Sequence, residues 1–249
     1  FNDLCDKLGL DTISAGNMVA LTMEGVARGR LQGDAEYGNS EHVERLLYEI
    51  AECRGLGKTL GKGIVPASRE LGLEDLAIHV KGMEPAGYDP RALKGMGLAY
   101  AVSDRGACHL RSTFYKAELA GQIDVDQIEG KAKFFLEYED RCTLFDCLIL
   151  CRFYRDFYWD ELGAIIGLTT GWELSTDELR QVAARVTNLT RRFNLREGLG
   201  AADDSLPDRM FQEPLQDGKS IAKKDLQTMV NEYYRLRGWN EQGIPEGQV

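Results

Sequence analysis

Long apolar runs are missing from this chain. No stretch approaches the ~18 apolar residues that a bilayer crossing takes, so no membrane span is expected. The six cysteines include no Cys-x-x-Cys pair, which argues against a self-contained zinc site. They are irregularly spaced, and no basic-then-apolar leader precedes them. That predicts reduced thiols in a cytoplasm and no disulfide framework. Basic charge is also short: 30 Lys and Arg against 40 Asp and Glu leave a formal charge of −10. Nucleic acid and anionic membranes are therefore excluded as main partners. Finally, Phe1-Asn2-Asp3-Leu4 has no initiator Met, and Pro245-Glu246-Gly247-Gln248-Val249 has no obvious stop signal. Both ends read as cuts inside a longer protein.

What is present is ordinary in bulk and helical in period. At 249 residues and 43% hydrophobic content, the chain can bury one large core or two smaller ones. Ile13, Gly16, Ala20, Met23 and Ala27 recur at helical spacing behind Asp11-Thr12, a capping pair. Val43, Leu46, Leu47, Ile50 and Ala51 form a second amphipathic stripe. Glu129 to Cys151 reads as one helix, and Trp159 to Ile166 as another. Ser175-Thr176-Asp177-Glu178 is a capping box opening a long helix, and Asp225 to Leu236 forms a last one before Gly238. Leu76 to Val80 is the one strand candidate, short and isolated, and Pro207 and Pro214 bracket an irregular segment. The expected fold class is all-α: multihelical, with two packed helical subdomains, 1–81 and 82–249.

Two segments share a pattern. Asp6-Lys7-Leu8-Gly9-Leu10-Asp11 opens the chain, and Asp146-Cys147-Leu148-Ile149-Leu150-Cys151 ends the apolar and aromatic run from Phe134. Each has Asp, three spacers, Leu, and then Asp or Cys. On a continuous helix, residues five apart diverge by roughly 140°, so one segment can address two ligands. Taken singly, an Asp there is a helix cap and a Cys a small hydrophobe. Between them, Gly82, Pro85, Gly87, Pro90, Gly95 and Gly97 suit backbone that approaches something closely. This stretch leads into Gly106-Ala107-Cys108-His109-Leu110-Arg111, where turn backbone would let His109 and Arg111 reach one pocket. Gly57-Lys58-Thr59 imitates a phosphate loop, but Glu52 stands where that motif needs Gly and a helix precedes it. A tight helix approach is expected there instead. His42, on a polar helix face, and His79, in the strand candidate, are expected to be structural.

Eight pieces occur in one order. They are Asp6–Asp11, Tyr88-Asp89-Pro90-Arg91, Lys94-Gly95-Met96-Gly97-Leu98-Ala99-Tyr100, Arg105–Arg111, Asp146–Cys151, Phe193-Asn194-Leu195-Arg196-Glu197-Gly198, Asp203-Asp204-Ser205-Leu206-Pro207 and Leu236-Arg237-Gly238-Trp239. Together they closely resemble the C-terminal part of the tungsten-dependent aldehyde:ferredoxin oxidoreductase family. The resemblance implies a pair of helical domains closing over a bis-pterin tungsten cofactor, with molybdenum as the alternative metal, carried on an N-terminal β domain. Carried over residue by residue, Asp6, Leu10 and Asp11 contact one pterin, and Asp146 and Leu150 the other. Cys151 is then the fourth ligand of a [4Fe–4S] cluster whose other ligands lie upstream. His109 becomes the proton-handling or substrate-orienting group, Tyr88 its hydrogen-bonding neighbour, and Arg111 a partner for a pterin phosphate or oxygen. Ile149 departs from the Gly usual at that position. The implied partners are ferredoxin, the N-terminal domain of the same chain and a small aldehyde, with a homodimeric parent allowed. Two alternatives stay open: a catalytic-subunit fragment of a tungsten-dependent benzoyl-CoA reductase, and a non-catalytic helical assembly module.

Overall fold

A computed structural model describes residues 1–154 and 156–246; Gly247 to Val249 of the C-terminal reading lie outside them. The chain is all-α, and among the described residues there is no sheet. The strand expected over Leu76–Val80 does not form. Leu76 and Ala77 close turns onto the Leu73 carbonyl, and only Val80 pairs, in a single antiparallel bridge with Met83. β-branched residues without a neighbouring strand have no ladder to join. No described helix is long and apolar enough to cross a membrane, and all six cysteines are free.

The first five helices are α1 (Asn2–Leu8), α2 (Thr12–Ala27), α3 (Ser40–Ala51), α4 (Gly57–Leu60) and α5 (Ile64–Leu71). Cys5, Met18, Leu47, Leu60, Ala67 and Leu73 are among the residues of their common core. Gly57 is where α4 meets α3: a Cβ there would strike the backbone of Glu49 and Ile50, so the glycine permits the close approach expected. His42, expected on a polar face, is buried. It precedes Leu46 by four residues and so shares that leucine's inward face.

The remaining helices are α6 (Lys94–Val102), α7 (Tyr115–Leu119), α8 (Lys131–Cys147), α9 (Trp159–Thr170), α10 (Thr176–Arg196), α11 (Asp208–Gln212) and α12 (Lys223–Arg237). The irregular segment expected between the two prolines thus contains α11. A second, larger core runs from Val80 to Trp239, with every residue of α6 after Lys94 buried at its centre. A small third cluster of Leu144, Ile166, Leu179 and Ala183 joins α8, α9 and α10. The Ser175–Glu178 capping box opens α10 as expected.

Buried charges fix α6 and its surroundings. The Glu118 carboxylate accepts from the Gly95 and Met96 amides at the start of α6, satisfying donors that a helix leaves open. It pairs with the fully buried Lys131 at 2.6 Å; burial nevertheless pushes the Glu118 pKa up against that cation. Behind α6, Lys81 Nζ reaches Asp204 at 2.7 Å and Arg191 reaches it at 2.8 Å. Arg209 of α11 ties this half to the first, donating to both Glu24 oxygens on α2 and to the Leu76 carbonyl.

Candidate functional site

The two repeated motifs have the same backbone shape. In the first, α1 ends at Leu8, Gly9 turns left-handed (φ 69°), and the Leu10 amide donates back to the Cys5 carbonyl at 2.9 Å. In the second, α8 ends at Cys147, Ile149 turns left-handed (φ 57°), and the Leu150 amide donates to the Phe145 carbonyl at 2.9 Å. Both are Schellman-type helix ends. The continuous helix expected through Cys151 is therefore interrupted, and Asp146 and Cys151 are separated by a chain reversal rather than by a helical rotation. Isoleucine is a poor residue for that conformation, which is why the reversal is hidden in the sequence.

Past the reversals the motifs diverge. Asp11 becomes the N-cap of α2, its Oδ1 accepting from the Ser14 amide at 2.8 Å. Leu10 packs against the first core. Leu10 and Asp11 line a hollow of about 220 Å³, together with Ser14, Gly61, Gly63, Gly82 and Glu84. Cys151 instead remains an exposed free thiol ahead of a 3-10 turn, Arg152–Tyr154.

Asp146 lies at the rim of a second hollow, about 320 Å³, between α8, α10 and the 102–111 segment. Its Oδ2 meets Arg111 at 2.8 Å and Arg152 at 2.6 Å. Arg111 also holds Asp104 at 2.9 Å, and Asn194 of α10 donates to the Asp104 carbonyl at 2.6 Å. Arg111, expected to meet a cofactor oxygen, here positions Asp146.

His109 lies apart from that network. Its ring centroid is 5.9 Å from that of Tyr88 and 6.3 Å from that of Tyr115; Tyr88 and Tyr115 are stacked at 4.0 Å and 11°. Burial, aided by the nearby Arg105 charge, holds the His109 pKa below its ordinary 6.5, so the ring is neutral at pH 7. Tyr88 borders a third hollow of about 370 Å³, walled by Ile13, Asn17 and Ala20 of α2 and by the 85–90 loop. His109 and Arg111 thus serve different neighbours and not one pocket.

The structure brings together Leu10 with Asp11, Tyr88 with His109, and Arg111 with Asp146. Asp6, Leu150 and Cys151 line none of these three hollows, and Asp6 and Cys151 are exposed. Among the described residues no group of three or more His, Cys, Asp or Glu side chains is placed to hold a metal. Sequence reasoning missed Arg152, Tyr115 and Glu84. Arg152 directly follows Cys151, a signal within reach. Glu84 and Tyr115 carry none, because only the fold brings them to Asp11 and Tyr88.

The sequence that builds this arrangement, two helix-ending carboxylate motifs on separate helical cores with a half-buried imidazole between them in the chain, matches a described family over its whole length. The model for aldehyde ferredoxin oxidoreductase, domains 2 and 3, matches residues 1–249. The tungsten-containing aldehyde ferredoxin oxidoreductase of Pyrococcus furiosus is 35% identical over 267 residues, covering 100% of this chain and 44% of its own. That of Thermococcus kodakarensis is 35% identical over 260 residues, covering 97% and 42%. The WOR-like subunit of an aliphatic sulfonate oxidoreductase from Pyrococcus furiosus is 26% identical over 270 residues, covering 99% and 40%. Among solved structures, the active-site complex of benzoyl-coenzyme A reductase with 1,5-dienoyl-CoA shares the fold. Its TM-score is 0.67 at 20% identity, over 95% of this chain and 42% of that one. The chain belongs to the aldehyde ferredoxin oxidoreductase family, as its second and third domains. It spans under half the length of these relatives.

Proposed function

We propose that this chain is the cofactor-enclosing part of a cytoplasmic tungsten-pterin enzyme that oxidises aldehydes to carboxylic acids and passes electrons to ferredoxin. Residues 1–81 and 82–249 would form its two helical domains, completed by an N-terminal domain of the same protein. The observation that carries this reading is the pair of matched helix ends: the first leads straight to Asp11 at one hollow, and the second carries Asp146 at another and leads to the free thiol of Cys151. In net terms, an aldehyde and water give the acid, two electrons and two protons; bound tungstopterin would supply the two-electron chemistry.

The residues fit such a group. An ionised carboxylate accepts the paired N–H donors of a pterin edge. Asp11 lines a hollow and spends only Oδ1 on its helix cap. Asp146 spends Oδ2 on two arginines, and its Oδ1 is in none of those pairs. Asp6, Leu10 and Leu150 would complete the two contacts. The exposed Cys151 thiol suits an iron–sulfur cluster, to which the upstream part of the protein would give the other three ligands. Arg111 and Arg152 orient Asp146 and balance its charge. His109, neutral at pH 7, can hydrogen-bond an aldehyde oxygen or accept a proton, and Tyr88 fixes one side of its ring.

The test is tungsten, molybdenum and iron analysis of the full-length protein with a viologen-linked aldehyde assay. Tungsten, iron and aldehyde-dependent dye reduction are expected. Absence of both tungsten and molybdenum overturns the reading, and activity with an aromatic thioester in place of aldehydes moves the reaction to ring reduction.

A further inference from the structure

The hollow at the first motif holds a second carboxylate that no part of the motif predicts. Glu84 comes from the Gly-rich loop between α5 and α6 and is 8% exposed. It lines the same hollow as Asp11. Ser14, in the first turn of α2, joins the two acids: its amide donates to Asp11 Oδ1 at 2.8 Å and its hydroxyl to Glu84 Oε2 at 3.2 Å. Among the described residues this hydroxyl is Glu84's sole hydrogen-bond donor, and no Lys, Arg or His forms an ion pair with it. The nearby His79 brings no countercharge, because burial holds its pKa below the ordinary 6.5.

That is an unusual state for a carboxylate nine-tenths withdrawn from water. Buried acids in folded proteins are paired with a cation or surrounded by donors, because an unpaired charge there is costly. The other buried acids among the described residues each have a cation: Glu118 has Lys131 and two amides, Asp204 has Lys81 and Arg191, and Glu139 and Asp140 share Arg237. Glu84 alone among these has no cation, only a hydroxyl and a void. The void is of heterocycle size, about 220 Å³, and Gly61, Gly63 and Gly82 give its wall backbone in place of side chains.

We propose that Glu84 is a further ligand-binding residue of the first hollow, accepting N–H donors from the same flat, donor-edged heterocycle that Asp11 addresses. The inference rests on the cofactor reading above and deepens it: the first pterin is gripped by two carboxylates held apart by Ser14. The two hollows then bind differently. The first offers acceptors from both acids, whereas in the second every lining acid is already paired with an arginine: Asp104 and Asp146 with Arg111, Asp146 also with Arg152, and Glu139 with Arg237.

The experiment uses cofactor-free full-length protein titrated with 2-amino-4-oxopteridine, followed by ligand fluorescence, with melting temperature recorded alongside. Glu84→Gln is expected to weaken binding about ten- to hundredfold, the range for a hydrogen bond to a charged group. It should leave the melting temperature of the empty protein equal or higher, since a buried carboxyl group without a cation partner is removed. Ser14→Ala, which frees Glu84 without removing it, is expected to weaken binding less. Unchanged pteridine binding in Glu84→Gln overturns the proposal, as does a loss that merely tracks a lowered melting temperature. A response to Mg²⁺ alone, abolished by Glu84→Gln and without any pteridine response, overturns it in favour of a cation site. A wild-type protein that binds no pteridine and purifies without pterin defeats the cofactor reading itself.

Discussion

Residues 6–11 and 146–151 make the same turn with different means. Both finish a helix with an Asp in its last turn, reverse through one left-handed residue, and return a leucine amide to a carbonyl five residues back. The first uses Gly9, for which that conformation is free. The second uses Ile149, β-branched and 93% exposed, for which it is strained and gains nothing from packing. The difference teaches that backbone geometry, and not residue identity, is the shared element. The last position then separates the two in use, since Asp11 caps the next helix while Cys151 is left free.

The comparison breaks most visibly at that last position. In the full-length protein, Cys151→Ala is expected to remove the cluster iron and drop ferredoxin-linked aldehyde oxidation to background. Asp11→Ala should keep the iron and lower stability by about 1 kcal/mol through the lost cap, read by iron analysis and chemical denaturation. Iron retained in Cys151→Ala would make the two positions equivalent after all.

Between the motifs, His109→Ala is expected to cut kcat by about 10²–10⁴-fold with metal content intact. Burial holds the His109 pKa below 6.5, so if the neutral ring acts as proposed, wild-type activity should fall only below pH 6.5. A pH–rate profile with its acid limb above that value would assign the limb elsewhere.

The reversal itself can be swapped. Gly9→Ile should destabilise by about 1–3 kcal/mol, the cost of holding a bulky residue in a sparse backbone region. The reciprocal Ile149→Gly should stabilise by up to about 1 kcal/mol, since relieved strain is partly offset by a freer unfolded chain. Equilibrium urea unfolding of both variants measures the asymmetry; equal and same-signed effects would remove strain from the account.

The smallest effect distinguishes the helices that lead in. Two turns before Asp146, α8 carries Asp140, whose pKa burial raises from 3.8 to about 6, with Arg237 opposing and Glu139 assisting. Arg237 comes within 2.7 Å of Asp140 Oδ1, but its hydrogen bond goes to Glu139. A raised folded pKa gives stability that is full below 3.8 and lost as pH rises through about 6. Wild type should therefore gain about 1 kcal/mol over Asp140→Asn between pH 7 and pH 5, measurable as paired urea midpoints.

Much of the helical frame was legible because its signals are local. Ser175 and Glu178 name their own helix start, and the Leu46, Leu47 and Ile50 stripe names an inward face. Where the sequence misled, a local preference met a tertiary fact. Ile149 speaks for continued regular structure, yet the chain reverses there. Leu76–Val80 has strand composition but no neighbour with which to form one. His42 looked polar by its flanks and is buried by its register with Leu46. The site was half legible: motif residues could be read from the resemblance, but Glu84 and Tyr115 are brought in by folding from segments without any pattern of their own.

The carboxylate under α6 has a reach longer than its bonds. Glu118 and Lys131 bolt down one end of a nine-residue rod, and the 103–111 turn with His109 and Arg111 hangs from the other. A misfit at the bolted end, such as a side chain on Gly95, where a Cβ would run into Phe114 and Glu118, would swing the imidazole and the guanidinium together. The placement of His109 and Arg111 is thus decided a full helix away from them, among side chains shut off from water.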